Sequence, residues 1–177
     1  MTRWEDFHIL PGAVQGITLL NRAGFCVVVV TNQRCVAKGL MTVADLEKMH
    51  ERMSDHLARV GAIIDAIYYC PHELGESCSC RKPAPGMLLD AARSFGIELS
   101  ASWMIGDSDI DIEAGKNAGC KTARLLTTNE TADESGHPSA SRHYADIIAS
   151  SLLDAVRQIL HCEGAVFGSF KTDPAVT

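Results

Sequence analysis

Three cysteines and a histidine fall within eleven positions of the stretch CPHELGESCSCRKPAPG, residues 70 to 86, and Arg81-Lys82-Pro83 follows at once. The pattern C-x-H-x5-C-x-C offers three thiolates and an imidazole, a donor set that suits tetrahedral Zn2+. Four protein ligands leave no open position, so a zinc held by Cys70, His72, Cys78 and Cys80 is expected to be structural. An Arg-Lys pair set between such a cluster and a proline would be fixed in space, which is what recognition of a phosphate needs. In a bare loop the same two residues would be ordinary solvated charges.

Two further stretches carry chemistry. GDSDID, residues 106 to 111, places Asp107, Asp109 and Asp111 at alternate positions. Carboxylates are hard oxygen ligands for Mg2+, although a helix start stabilises them equally well through its dipole. Thr31-Asn32-Gln33 closes the run FCVVVVT; turn chemistry alone would account for Thr and Asn at such a place.

The elements that must position these groups follow from periodicity. Residues 12 to 24 place Val14, Ile17, Leu19 and Leu20 at helical spacing, with Gly24 as a stop. FCVVVVT reads as a strand of the kind buried on both faces of a parallel sheet. Helical spacing returns over 43 to 60 behind a Thr42 cap. AIYY is a short strand running into the cysteines, and PGMLLDAARSFG a helix with Pro85 near its start and Gly96 past its end. SWMIG is a strand delivering GDSDID, IEAGKNAG a short helix and KTARLL a strand. Residues 127 to 143 read as a polar loop. ADIIASSLLDAVRQIL supplies a last strand and an amphipathic helix. The pattern predicts one α/β domain over residues 1 to 160, Rossmann-like, with helices on both faces of a parallel sheet, and a loose tail from 161 to 177. Ligands of such folds lie beyond the carboxyl ends of the strands, which puts TNQ, CPH and GDSDID on one face.

Composition narrows the partners. The chain has 177 residues, enough for one well-buried domain, with 46% hydrophobic and 21% charged residues. A net charge of −6 argues against a binder of nucleic-acid backbones. The longest apolar runs fall far short of the roughly 20 residues that cross a bilayer. The first residues carry no secretory signal pattern, and seven cysteines form no even disulfide framework. A cytoplasmic, monomeric protein with a small-molecule partner is expected, with Cys26, Cys35, Cys120 and Cys162 as free thiols or small hydrophobes.

Taken together, VVVVTNQ, IDAIYYCPH, CSCRKPAPGML and MIGDSDIDIEAGKNAG resemble the haloacid dehalogenase superfamily. More closely, residues 4 to 160 are similar to the heptose-bisphosphate phosphatases and their histidinol-phosphatase relatives. The resemblance implies a phosphoric monoester hydrolase acting on a phosphorylated sugar, with Mg2+ as cofactor and Zn2+ as a structural ion. By the same resemblance Thr31 binds the transferred phosphoryl group, Lys82 neutralises its charge, and Arg81 recognises the substrate. Asn32, Gln33, Arg34 and Ser108 are placed beside the substrate, Asp107 ligates Mg2+, and Asp111 supports the site. Cys70, His72, Cys78 and Cys80 match the zinc ligands.

Two departures accompany the likeness. Where the heptose phosphatases usually read TNQSGIARG, this chain reads TNQRCVAKG, with Arg34-Cys35 for the small pair and Lys38 for an arginine. The D-x-D-G-T motif, whose first Asp is the family's nucleophile and whose second is its general acid and base, does not occur in these 177 residues. MTRWEDFHILPGAV corresponds to the segment that follows that motif, so about 25 residues are expected ahead of it, one strand plus a loop. In this fold that strand is central, between the strand ending at Thr31 and the one ending at Gly106. Without it two inner strands keep unpaired edges. The expectations are a heptose 1,7-bisphosphate phosphatase, a histidinol-phosphate phosphatase, or an inactive zinc-stabilised binding module.

Overall fold

In the computed structural model the described residues are 3–126 and 145–164. Strands β1 (Val28–Asn32), β2 (Ala66–Cys70), β3 (Trp103–Gly106), β4 (Lys121–Leu125) and β5 (Ile147–Ala149) alternate with helices α1 (Ala13–Arg22), α2 (Val43–Arg59), α3 (Gly86–Phe95), α4 (Asp109–Ala118) and α5 (Leu152–Cys162). Every strand pairing is parallel. The α/β architecture expected from the alternating pattern is therefore present. The polar loop read over 127 to 143, and the tail beyond Gly164, lie outside the described residues.

Local chemistry explains the helix ends. Thr42 and Asp45 cap α2 reciprocally, and Ser108 and Asp111 do the same for α4. That second capping box starts α4 at Asp109, three residues before the reading from apolar spacing, because its members are a serine and an aspartate rather than apolar residues. Nothing between Leu160 and the left-handed Gly164 breaks the backbone, so α5 runs to Cys162, two residues into the expected tail. Among the described residues no helix is long and apolar enough to cross a membrane.

The strands fall into two blocks, β1-β2 and β3-β4-β5. The Gln33 N–H bond to the Cys70 carbonyl and the Asp65 N–H bond to the Val27 carbonyl turn Val27, Val29 and Thr31 toward β2. By alternation, Val28 and Val30 point their backbone groups to the opposite edge. On β3, Ser102 accepts from Lys121 N–H, so Trp103 and Ile105 point away from β4. Among the described residues no strand pairs with either edge. The valine run is half-buried along its length rather than fully buried, one edge of β1 having no strand beside it among the described residues.

A shared helical layer holds the two blocks together. Buried Leu20 of α1 and Val156 and Leu160 of α5 pack against both Val27, just before β1, and Ile105 of β3. The two helices approach closely because Gly16 leaves room for Leu152; a Cβ there would lie 3.3 Å from the Leu152 Cγ. The β1-β2 block is fastened to α1 by Asn21, whose amide donates to the Ile63 carbonyl at 3.1 Å and accepts from the Ile63 N–H at 2.8 Å.

Candidate functional site

The carboxyl ends of β1, β2 and β3 bring Thr31, Cys70 and Gly106 to one rim, where open α/β sheets bind ligands. Backbone bonds stitch the loops of that rim together. Gln33 N–H donates to the Cys70 carbonyl at 2.7 Å, and Ala37 N–H to the Pro71 carbonyl at 3.2 Å. Both ends of the Asn32 amide engage the main chain of Lys82, each at 3.1 Å. Asn32, expected beside the substrate, clamps the Lys82 loop to the tip of β1 and keeps a second amide N–H.

Lys82 itself reaches back across the rim. Its Nζ donates to the Val30 carbonyl at 2.8 Å and lies 2.7 Å from the Asp111 Oδ1. The pair is well buried, with 12% of the Lys82 side chain and 8% of the Asp111 side chain exposed. Low exposure strengthens the attraction, and it makes either partner costly to leave alone. The other oxygen of Asp111 accepts from Ser108 Oγ at 2.6 Å and from Ser108 N–H at 3.2 Å. Ser108, also expected at the substrate, thus orients Asp111 and begins α4.

Gly106 has to be glycine for this arrangement. A Cβ there would lie 2.3 Å from the Asp111 Cβ and 2.5 Å from its Oδ2. Gly106→Ala is expected to push Asp111 off Lys82 and to cost about 2–3 kcal/mol, as overpacking a tight site does. Urea unfolding checks this, and a midpoint equal to that of the parent would contradict it.

The remaining residues singled out from the sequence are placed as follows. Thr31 accepts at its hydroxyl from the Gln33 side chain at 3.3 Å. Arg81 donates from one guanidinium nitrogen to the His72 carbonyl at 3.0 Å. Arg34 is exposed on the turn after β1, and Asp107 is exposed at the tip of β3. Asp109, the middle carboxylate of GDSDID, forms an ion pair with buried Arg124 at 3.2 Å, which periodicity could not reveal. Behind Thr31 lies a cavity of about 190 Å3 lined by Phe7, Val29, Gln33, Met49, His50 and Met53. Burial draws the His50 imidazole below its ordinary pKa, against the opposing pull of Glu47.

The donor atoms of Cys70, His72, Cys78 and Cys80 all lie within 4.8 Å of one another. The Cys70 Sγ is 3.5 Å from His72 Nδ1 and 3.8 Å from Cys78 Sγ, and His72 Nδ1 is 3.3 Å from Cys80 Sγ. A tetrahedron of zinc-thiolate bonds has edges of about 3.8 Å, so the residues fit the ion. Their acidity agrees. Burial, reinforced by the neighbouring thiols, pushes Cys80 up to about 12. Burial also works to raise Cys78, but hydrogen bonds with the Arg81 backbone and with Cys80 and Cys70 more than offset it. Without a cation Cys80 keeps its proton, and a bound zinc would have to displace it. For Mg2+ the described rim offers the exposed carboxylate of Asp107, Asp109 beside it being paired with Arg124; this suits an ion that takes one or two carboxylates, phosphate oxygens and water.

Comparison with known proteins agrees with this geometry. A family model described as HAD-hydrolase-like matches residues 79–155. The D-glycero-beta-D-manno-heptose-1,7-bisphosphate 7-phosphatase of Bordetella bronchiseptica is 38% identical over 147 residues, covering 82% of each chain. That of Pseudomonas putida is 38% identical over 146 residues, covering 82% of this chain and 83% of its own. The crystal structure of the B. bronchiseptica D,D-heptose 1,7-bisphosphate phosphatase, complexed with magnesium and phosphate, superposes with a TM-score of 0.78 at 33% identity, covering 90% of this chain and 88% of that one.

Proposed function

We propose, from the premise that this chain belongs to the heptose-1,7-bisphosphate 7-phosphatase family of HAD-like hydrolases, that it is a magnesium-dependent phosphatase of sugar bisphosphates, with D-glycero-D-manno-heptose 1,7-bisphosphate as substrate. The observation that carries this reading is Lys82: a fixed ammonium, held by Asp111 and the Val30 carbonyl, where three strand ends converge. Fixed positive charge aimed at a transferring phosphoryl group is the largest single contribution an enzyme makes to such a reaction.

In this reading the Thr31 hydroxyl and the Lys82 ammonium hold phosphoryl oxygens, and Arg81 engages the rest of the substrate. Asn32 and Asp111 are positioning residues, one for the backbone of Lys82 and one for its ammonium. Asp107 would hold Mg2+, which when bound supplies charge neutralisation at the phosphate oxygens. The attacking group in the family is an Asp carboxylate, and no D-x-D-G-T occurs in these 177 residues. In the family that carboxylate oxygen bonds to phosphorus as the phosphorus–oxygen bond to the sugar breaks, and water later cleaves the acyl phosphate; the residues of this chain supply the groups that hold the phosphoryl oxygens, Thr31 and Lys82.

The same missing motif favours a second reading, a zinc-stabilised module that binds a sugar phosphate without hydrolysing it. Phosphate release from heptose 1,7-bisphosphate, histidinol phosphate and an aryl phosphate, each with and without Mg2+, separates the two. With the family's Asp nucleophile supplied, magnesium-dependent release fastest with the heptose substrate is expected. Faster release from histidinol phosphate would reassign the substrate. Binding of the sugar phosphate with no release would leave only the binding module.

A further inference from the structure

The aspartates of GDSDID stand at alternate positions, 107, 109 and 111. Calcium-binding loops draw their first ligands from alternate positions too, because a tight turn of backbone can aim such side chains at one ion. In this chain two cations intervene. Lys82 Nζ holds Asp111 at 2.7 Å, and Arg124 holds Asp109 at 3.2 Å. Asp107 is the carboxylate that neither of them takes.

The sheet puts Arg124 in position to do this. It is the register partner of Gly106 on β3, one residue before Asp107. Thr122, two positions earlier on β4, faces α4, since a Cβ on Gly115 would lie 2.9 Å from its Cγ2. Alternate residues of a strand share a face, so Arg124 also faces α4, at the end where Asp109 opens the helix. Helix stability does not account for an arginine there. The N-terminal end of a helix disfavours a cation, and a buried guanidinium is costly. Asp109 has no need of the pair either, with 58% of its side chain exposed against 4% of Arg124. What the pair achieves is to hold a carboxylate that lies two residues from Asp107.

We propose that Arg124 is a positioning residue for metal choice: by holding Asp109 it keeps a second aspartate out of the ion's ligand shell and biases the rim toward Mg2+ over Ca2+. Mg2+ is satisfied by one or two carboxylates with water and phosphate oxygens, whereas Ca2+ gathers about six to eight oxygens and gains from each further carboxylate. The inference rests on the reading of Asp107 as the Mg2+ ligand and deepens it.

Calorimetric titration of the zinc-loaded full chain with Mg2+ and with Ca2+ reads this preference without any turnover. Arg124→Met puts an apolar side chain in the place of the guanidinium and leaves Asp109 solvated, so the fold should hold, with the urea midpoint as the check. The variant is expected to bind Ca2+ at least about tenfold more tightly than the parent, as one added charged ligand allows, while Mg2+ changes by less than about threefold. Should that variant unfold, Arg124→Gln, which keeps a hydrogen-bonding side chain without the charge, carries the same expectation. Arg124→Lys should keep the parent preference. Asp109→Asn added to Arg124→Met should abolish the calcium gain, which a merely structural role for Arg124 would not require. A Ca2+ to Mg2+ affinity ratio within about twofold of the parent after loss of the Arg124 charge, or a gain that survives Asp109→Asn, would overturn the inference and leave the phosphatase reading intact. Asp107→Asn should abolish Mg2+ binding; undiminished binding would remove the assignment of the ion to Asp107 and the inference with it.

Discussion

With the family's Asp nucleophile supplied, Lys82→Met is expected to lower magnesium-dependent turnover about a hundredfold or more, the loss seen when one preorganised donor to a developing charge is removed. Methionine keeps most of the apolar stem, and the side chain is almost wholly covered, so packing is largely retained. What disappears is the ammonium, and with it the partner of Asp111. The abandoned carboxylate keeps its Ser108 hydrogen bonds, which limits the stability penalty to roughly 1–3 kcal/mol. The two losses separate by measurement: turnover collapses while the unfolding midpoint moves modestly. Lys82→Arg is no rescue, because a planar guanidinium cannot sit at 2.8 Å from the Val30 carbonyl and 2.7 Å from Asp111 in the place of a compact ammonium. Turnover within tenfold of the parent for Lys82→Met would show that the ammonium does not act on the transferred phosphate.

The second large effect concerns the cysteine cluster. The purified chain is expected to hold about one zinc, and stripping it with a strong chelator should destabilise the protein by roughly 3 kcal/mol or more, well below the range for zinc-finger peptides because the strands and helices have a core of their own. In a domain of this size that corresponds to a fall in melting temperature of roughly 10 °C. Activity should fall with it, since Arg81 is anchored to the His72 carbonyl and Lys82 follows two residues after Cys80. Cys80→Ser should reproduce both effects. Zinc affinity should weaken as pH falls, because the metal has to displace a proton from a thiol that is pushed up to about 12 in its absence. A metal-free chain with unchanged melting temperature and turnover would reduce the cluster to four coincidental side chains.

How much of this was legible beforehand depends on the range over which each feature is specified. The cluster C-x-H-x5-C-x-C could be read directly, because its four donors are near neighbours in the chain and a short loop can gather them. The capping box of α4 was also written in the sequence as Ser108 and Asp111, but the apolar spacing drew attention to Ile112 and placed the helix start too late. The three aspartates of GDSDID looked equivalent. They differ because Asp107 stays exposed, Asp109 is taken by Arg124 and Asp111 by Lys82, and no local pattern names those partners.

By itself the sequence determined the inventory and the short-range order: which residues can hold zinc, which can meet a phosphate, where helices are capped and which runs form parallel strands. These follow from side-chain chemistry and from backbone preferences that act over a few residues. Only the tertiary structure decided how they are used. Asn32 is a clamp because the end of β1 meets the Lys82 backbone fifty positions away. The valine run could have been covered on both faces; β1 and β3 instead turn open edges outward from their own blocks, bridged by α1 and α5. Lys38 and Glu73 come from separate loops and meet because those loops are bonded to each other through their backbones. Such meetings depend on which strand ends lie side by side, and that is settled by burial and pairing across the whole domain.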